Sequence, residues 1–176
     1  MKKKIIQKLY ELECQLFRML NRHFDRKFLS RYFRFVTHFG GALLTIAIAL
    51  LLMIFTSGSL KLTAYAGGLS LALSHVPVAI MKKLYPRKRP YLQIKDTKVL
   101  ENPLTDHSFP SGHTTAIFSL TTPFFIYFPF AVIILLPLAF SVGLSRIFLG
   151  LHYPTDVLVG SILGTCTGLF CFSFFH

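Results

Sequence analysis

Acidic residues are scarce in this sequence: 176 residues include 7 Asp and Glu against 19 Lys and Arg, which gives a formal net charge of +12. Sites for divalent cations need several oxygen ligands, mostly from carboxylates. The side chains that a metal site would have to use are Asp106, His107, His113, His152 and Asp156. Lysines and arginines accompany these residues in the chain and would repel a dication. We therefore expect no metal and no other cofactor.

Cysteine is also rare. Cys14, Cys166 and Cys171 lie in amphipathic or apolar stretches, and no two of them have the CxxC spacing. Cysteines of this kind behave as small apolar side chains. The sequence therefore predicts neither a disulfide framework nor a zinc site.

Charge of either sign is sparse, since 15% of the residues are charged, 53% are hydrophobic and the mean hydropathy is +0.56. A nucleic-acid-binding protein spreads Lys and Arg over a solvated face. Here long uncharged runs separate the charged clusters, which argues against a nucleic acid partner. The pattern predicts a multi-pass protein of the cell membrane, with cationic ends and loops, and leaves its oligomeric state open.

Residues 1–34 hold ten of the nineteen Lys and Arg. Between these cations, apolar residues recur at helical spacing: Ile5, Ile6, Leu9, Leu12, Leu16, Phe17 and Leu20. The pattern predicts an amphipathic helix that lies in the membrane interface. A helix that binds a calmodulin-like or other protein partner is the alternative.

The remaining residues, 35–176, form the predicted transmembrane core of a single integral-membrane domain that covers residues 1–176. About 20 apolar residues span a bilayer, and we predict five spans, at residues 35–60, 62–81, 113–127, 130–147 and 157–175. Pro77 should bend the second span, and residues 84–110 should form a loop at the membrane surface. The predicted fold is an all-α, polytopic membrane helix bundle of about five transmembrane spans, preceded by the amphipathic interfacial helix.

Two features inside the predicted spans concern helix packing. Gly160, Gly164 and Gly168 recur every four residues, so another helix should approach that face of the last span closely. His75 lies seven residues before Lys82, on the same face of the second span if that helix is regular. We expect His75 to donate a hydrogen bond to a neighbouring helix rather than to take part in chemistry.

In this topology three polar segments meet at one membrane surface. Pro110-Ser111-Gly112-His113 opens the third span, where free helix amides and the helix dipole favour an anion. The residues that can converge there are Lys82, Arg89, Ser111, His113, Arg146, His152 and Asp156. We interpret Lys83, Arg87 and Lys88 differently, as a positively charged collar that anchors the loop to the membrane.

Asp156 follows His152 by four residues and can accept its ring N–H. Such a bond fixes the imidazole tautomer and leaves the other nitrogen free as a nucleophile or base. A His–Asp pair is often only a structural hydrogen bond. Facing three cations and a second histidine, His113, this pair indicates chemistry.

These segments resemble the three signature motifs of the type-2 phosphatidic acid phosphatase family. The matching segments are Lys82-(six residues)-Arg89-Pro90, Pro110-Ser111-Gly112-His113, and Ser145-Arg146-(five residues)-His152-(three residues)-Asp156. The resemblance implies a metal-independent phosphatase that acts on a lipid phosphate or diphosphate. Membrane members of the family commonly have six spans, whereas here an amphipathic segment stands where the first would be.

The resemblance also implies a role for each matching residue. His152 would attack phosphorus and form a phosphohistidine, Asp156 would orient it, and His113 would protonate the leaving oxygen. The residues that match the phosphate binders are Lys82, Arg89, Ser111, Gly112 and Arg146. Phosphatidylglycerol phosphate, phosphatidate and undecaprenyl diphosphate all present a phosphate on an apolar tail, and the sequence does not choose among them.

Two other functions remain possible at this point. A non-enzymatic membrane transporter or assembly protein that binds lipid phosphate would need the cations, but not a His–Asp pair with a second histidine. Vanadate-dependent haloperoxidase chemistry uses a related motif set, but the membrane spans and the small size of this chain argue against it.

Charge and resemblance disagree about which membrane face holds the site. Ten Lys and Arg precede the first span and eight lie between Lys82 and Arg146, so eighteen of nineteen fall on the side of the motifs. Only Lys61 falls on the other side. The positive-inside rule places the motif side in the cytoplasm, whereas the resemblance implies the outer face. We predict the cytoplasmic face.

Overall fold

The computed structural model describes residues 2–101 and 103–176, and within these residues all regular structure is helical. This confirms the predicted all-α class. Short 3-10 turns at Thr37–Gly40, Pro90–Leu92 and Pro129–Ala131 separate some of the α-helices. In chain order the α-helices are α1 (Lys2–Asn21), α2 (Lys27–Val36), α3 (Ala42–Phe55), α4 (Gly58–Leu84), α5 (Gly112–Tyr127), α6 (Val132–Phe148) and α7 (Pro154–Phe175).

The apolar helices make the chain a multi-pass membrane protein. Three stretches are long and apolar enough to cross a bilayer: Gly58–Leu84, Pro129–Phe148 and Pro154–Phe175. A fourth candidate is the pair Lys27–Gly40 and Ala42–Phe55, whose two parts are bent by 53°. Helix α5 has 16 residues, fewer than the roughly 20 that span a bilayer. A total of five spans therefore stays a prediction.

The first predicted span, residues 35–60, is wrong as a single helix. Helix α2 ends at Val36, and the backbone is extended at Gly41 (φ −74°, ψ 146°), so the helical hydrogen bonds stop there. Gly40, the residue before Gly41, packs closely against two other helices. A Cβ on Gly40 would lie 2.6 Å from Val142 Cγ1 and 2.7 Å from the His113 carbonyl oxygen. Only a glycine allows this approach, and hydropathy alone does not reveal it.

The N-terminal segment, predicted as one amphipathic helix over residues 1–34, is two helices, α1 and α2. Helix α1 buries Cys14 and Phe17 in a cluster with Ile94, Ile147 and Tyr153. Its opposite face leaves four apolar side chains exposed: Leu9, Leu12, Leu16 and Met19. The side chains of Ile5 and Ile6, also assigned to the apolar face, lie outside the described residues.

Asn21, at the end of α1, fixes this helix to the loop end of the bundle. Its buried side-chain amide donates to the carbonyl oxygens of Lys98 (2.8 Å) and Phe148 (2.9 Å). It also accepts a bond from the Lys98 backbone N–H at 2.9 Å. Helix α1 is therefore docked on the protein, at the end that carries the predicted motif loops.

Helix α5 is the central helix of the bundle and packs against α3, α4, α6 and α7. All of its residues from Thr114 to Pro123 are buried. The hydroxyls of Thr115, Ser119, Thr121 and Thr122 donate to carbonyl oxygens of the preceding turn at 2.7 to 3.0 Å. These small polar side chains are thus satisfied within their own helix and let its neighbours come close.

The predicted close approach at the glycines of α7 is confirmed. A Cβ on Gly160 would lie 2.7 Å from the Ser111 carbonyl oxygen, and one on Gly164 would lie 2.5 Å from the Thr115 carbonyl oxygen. Both partners belong to α5 or its N-cap. The contact holds the N-terminus of α7 beside the N-terminus of α5, where Ser111 N–H donates to the Asp156 carbonyl oxygen at 3.0 Å.

Candidate active site

Arg89 is the most tightly held of the predicted phosphate binders. Helix α4 ends at Leu84, and Arg89 returns from the loop as expected, with only 1% of its surface exposed. Its Nε and Nη2 donate to the Asp106 carbonyl oxygen (2.8 Å) and Oδ1 (2.6 Å). Its Nη1 donates to the Leu151 carbonyl oxygen at 2.9 Å and lies 3.1 Å from His152 Nε2. The guanidinium group therefore stands directly against the predicted nucleophile.

Asp106 joins two of the predicted phosphate-binding cations. It forms ion pairs with Lys82, in the last turn of α4, and with Arg89. Burial opposes ionisation of this carboxyl, but the hydrogen bonds and charges of Lys82 and Arg89 outweigh it and lower the pKa of Asp106 to about 2. From the sequence, Asp106 was a candidate only for a metal site. Its position shows instead that it balances the cations to which a phosphate would bind.

His152 lies in the loop between α6 and α7 and is buried. Its Nδ1 is 3.6 Å from Asp156 Oδ2, which is an ion-pair distance but too long for a formed hydrogen bond. Burial, and then the charges of Arg146 and Arg89, lower the pKa of His152 to about 4, although Asp156 opposes them. The imidazole is therefore neutral at pH 7 and can act as a nucleophile.

Asp156 is held rigidly in the first turn of α7, where a carboxylate is favoured by the helix dipole. Pro154 opens this helix, as predicted. The carboxylate accepts the Tyr153 backbone N–H on Oδ2 at 2.8 Å and Arg87 Nη1 on Oδ1 at 2.9 Å. Gly150, at φ +78°, makes the turn that brings His152 and Asp156 together after α6.

Arg146, near the end of α6, presents a buried guanidinium group with free donors. Its Nη1 donates to Thr37 Oγ1 at 2.8 Å, from the turn that breaks the first span. Its Nε and Nη2 are buried and have no hydrogen-bond partner within residues 2–101 and 103–176. Buried polar groups are rarely left unpaired, and a guanidinium edge matches two phosphate oxygens. Both donors are therefore available to an anion.

The residues around the start of α5 complete the site. Ser111 caps the helix, since its Oγ accepts from Thr114 N at 3.4 Å and from Thr114 Oγ1 at 2.9 Å. A Cβ on Gly112 would meet nothing within 4 Å, so the backbone there is open to a ligand. His113 lies within electrostatic range of Arg146, His152, Arg89 and Lys82. The structure thus brings together all the residues that the sequence predicted to converge.

Among the described residues, no group of three or more His, Cys, Asp or Glu side chains is placed to hold a metal ion. An apolar cleft of about 350 Å³ runs between α3 and α4 near the site. It begins next to Gly41, where a Cβ would lie 3.8 Å from His113 Nε2. Residues along its walls include Ala42, Thr45, Ala49, Met53, Leu71 and His75.

The expectation for His75 was wrong in one respect. Its Nδ1 bonds to the Leu71 carbonyl oxygen at 2.7 Å, within its own helix rather than across to a neighbour. The bond explains how a histidine is accommodated at this depth. The rest of its ring faces the cleft between α3 and α4.

Arg87 does not belong to a membrane-anchoring collar, so that prediction was wrong. It bonds to Asp156, to Thr155 Oγ1 at 2.8 Å and to Glu13 of α1. Glu13 was also missed, although a signal existed: it shares a face of α1 with Phe17 and Asn21, at four-residue spacing. No local pattern identifies the partner of Arg87, because Glu13 lies 74 residues away in the chain.

Comparisons with known proteins agree with this geometry. The bacitracin transport permease protein BcrC of Bacillus licheniformis is 39% identical over 93 residues, which are 53% of this chain and 46% of that protein. The chain therefore matches less than half the length of this relative. The undecaprenyl-diphosphatase of Sulfolobus acidocaldarius is 29% identical over 161 residues, or 86% of this chain and 72% of that protein.

The crystal structure of Aquifex aeolicus LpxE superposes with a TM-score of 0.82 at 28% identity, over 92% of this chain and 95% of that one. The family model described as PAP2 superfamily matches residues 62–176, from α4 to α7, which contain all three motifs. The resemblance drawn from those motifs is thereby confirmed, and the chain belongs to the PAP2 superfamily.

Proposed function

We propose that this chain is a metal-independent membrane phosphatase that hydrolyses a lipid phosphate or diphosphate through a phosphohistidine at His152. One observation carries the proposal. The buried imidazole of His152 stands between the Asp156 carboxylate on one nitrogen and the Arg89 guanidinium on the other. A neutral nucleophile, an orienting carboxylate and phosphate-binding cations are the parts that phosphoryl transfer to a histidine requires.

In the proposed first step, His152 Nε2 attacks the phosphorus of the lipid headgroup. The N–P bond forms as the bond from phosphorus to the leaving oxygen breaks, and His113 gives that oxygen a proton. The imidazole becomes positively charged in this step, and the Asp156 carboxylate stabilises the charge. In the second step water attacks the phosphohistidine and His113 takes a proton from the water. The N–P bond breaks as the new O–P bond forms, which releases inorganic phosphate and returns His152 to its neutral form.

The proposed phosphate seat is formed by Lys82, Arg89, Ser111, Gly112 and Arg146. Arg146 supplies two unpaired buried donors, and the open backbone at Gly112 lies at the N-terminus of α5. Fixed cations and helix amides stabilise charge spread over the transferring phosphoryl oxygens. Lys82 and Arg89 would exchange part of their contact with Asp106 for the substrate.

The cleft between α3 and α4 is lined almost entirely by apolar groups, which supports binding of part of an apolar tail there. Undecaprenyl diphosphate, phosphatidylglycerol phosphate and phosphatidate all combine such a tail with a terminal phosphate. The relative from S. acidocaldarius is named as an undecaprenyl-diphosphatase, so this diphosphate is the first substrate to test.

The cytoplasmic face is our proposal for the location of the site. It is supported by the docking of α1 on the motif loops, through Asn21 and Glu13, which puts the N-terminal cations on the same side as the site. If α1 lay on the other side of the membrane, its cations would not add to the positive charge of the side that carries the motifs. The positive-inside rule then favours the cytoplasm for that side.

The test is phosphate release by the purified protein from the three lipids in excess EDTA. We expect full turnover of at least one lipid under these conditions, none by His152→Ala or His113→Ala, and a phosphoryl group on His152 in a quenched reaction. Activity that is lost in EDTA and restored by magnesium or zinc would contradict metal independence. Phosphate trapped on His113 would reverse the two histidine roles.

A further inference from the structure

Helix α1 reaches the catalytic pair through one chain of polar contacts. Glu13, on its docked face, forms an ion pair with Arg87 Nη2 and accepts a hydrogen bond from Thr155 Oγ1. Arg87 Nη1 donates to Asp156 Oδ1 at 2.9 Å, and Asp156 faces the imidazole of His152. The carboxylate of an N-terminal helix is thus connected to the proposed nucleophile through two side chains.

The contacts leave Arg87 little freedom. Its guanidinium carbon lies 3.7 Å from the centre of the Tyr153 ring, stacked over the residue between His152 and the start of α7. Tyr153 is 1% exposed and packs against Tyr10 and Phe17 of α1. Burial works against the charge of Arg87, but the bond to Glu13 and the charge of Asp156 raise the pKa of Arg87. The two carboxylates are contacted by different nitrogens of one planar guanidinium group, Asp156 by Nη1 and Glu13 by Nη2.

Glu13 is one of several residues that attach α1 to the bundle. It is only 7% exposed, and burying a carboxylate is costly unless it is paired. Attachment of α1 is already provided by Phe17, Cys14 and Asn21. A polar or apolar residue at position 13 would dock the helix without this cost.

We propose that Glu13 and Arg87 are positioning residues, through which α1 holds the Asp156 carboxylate in the orientation that supports His152 during phosphoryl transfer. The amphipathic helix is then part of the catalytic machinery as well as an interfacial segment. This inference rests on the proposed function and deepens it, because turnover becomes dependent on the docking of α1.

The charges predict opposite effects of the two residues on the pH profile. Asp156 faces Arg87, His152 and the Tyr153 N–H, while His152 faces Asp156, Arg89, Arg146 and His113. Arg87→Gln removes a cation from Asp156, so the pKa of His152 should rise and the acid limb of kcat/KM should move to higher pH. In Glu13→Gln the positive charge of Arg87 is no longer offset by Glu13 and acts more strongly on Asp156 and His152. The pKa of His152 should therefore fall, and the acid limb of kcat/KM should move to lower pH.

The experiment compares Glu13→Gln and Arg87→Gln with two matched controls in the purified full-length protein. Glu11→Gln removes the same charge from α1 at an exposed residue whose side chain accepts a hydrogen bond from Gln7. Lys83→Gln removes a cation from the end of α4. We expect kcat to fall about 10- to 100-fold in the two test variants, from the loss of a hydrogen bond to a charged group. The KM of the two test variants should stay at the wild-type value. Both kcat and KM of the two control variants should also stay at the wild-type values.

If the wild-type protein releases phosphate and the folded Arg87→Gln variant keeps the full kcat, the inference is overturned and the proposed function stands. If Arg87→Gln does not fold, Glu13→Gln decides, since it removes the α1 carboxylate that holds Arg87; unchanged kcat in that folded variant would also overturn the inference. Shifts of the acid limb in the same direction for both test variants would contradict the charge argument. A wild-type protein that releases no phosphate from any of the three lipids refutes the proposed function itself.

Discussion

Replacement of Asp156 by asparagine tests the division of labour in the proposed active site. Asparagine keeps the size and one acceptor oxygen of aspartate but removes the charge that faces His152 Nδ1 at 3.6 Å. At that distance, with an effective dielectric constant of about 20, two unit charges interact by roughly 4.6 kcal/mol. The histidine acquires a positive charge only as it attacks, so this energy is lost from the transition state and not from the ground state.

We therefore expect Asp156→Asn to lower kcat by about 10³-fold, with little change in KM, since each 1.36 kcal/mol corresponds to a factor of ten. His152→Ala, which removes the attacking atom, should show no turnover in the same assay. The measurement is steady-state phosphate release from a lipid diphosphate in detergent micelles. Asp96→Asn is the matched control, because Asp96 sits in the loop at φ +59°, a conformation that asparagine also tolerates.

Two outcomes would refute this reasoning. If Asp156→Asn kept more than about a tenth of the wild-type kcat, the carboxylate would not stabilise charge on His152. If the variant were folded but as inactive as His152→Ala, Asp156 would take part in the chemistry directly.

Three further predictions use other parts of the structure. Because the pKa of His152 is lowered to about 4 and the neutral imidazole attacks, the acid limb of kcat/KM should appear as pH drops through about 4; an acid limb near pH 6.5 would contradict this. A cysteine substituted at Thr97, in the loop that follows α4, should not react with a membrane-impermeant thiol reagent in intact cells. A cysteine substituted at Ser59, at the start of α4 and on the other side of the membrane, should react. The reverse pattern would place the site outside. Gly164→Val should lower the unfolding temperature of the protein, because its side chain would meet the α5 backbone, whereas Cys166→Val, at an exposed position, should leave it unchanged.

Much of the candidate site could be predicted from the sequence because its residues occur in short segments with fixed spacing. Lys82 and Arg89 flank the end of one apolar helix, His113 opens the next, and His152 and Asp156 flank the start of the last. Once the apolar runs define the helices, alternating direction places these ends together. Hydropathy and helical spacing are local properties, so they also sufficed for the all-α class and for the close contact at Gly164.

The position of the helix break depended on contacts that no local pattern contains. Residues 35–60 form an uncharged, mostly apolar run, yet the helix is broken at Gly41. Next to it, Val142 and the His113 backbone occupy the space of a side chain at Gly40. The bend places Thr37 where it can accept a bond from Arg146. These contacts join residues that are distant in the sequence, with Val142 at 102 and His113 at 73 positions after Gly40.

The sequence by itself determined the membrane class, the motifs and the residues that converge, because apolar length and residue spacing specify them. The tertiary structure decided how the charges pair: Asp106 with Lys82 and Arg89, and Glu13 with Arg87 beside Asp156. A surface lysine or arginine and a buried one look the same in a sequence. Their partners depend on how α1 and the loop pack against the helix ends, and this packing places Arg87 next to Asp156 and close to His152.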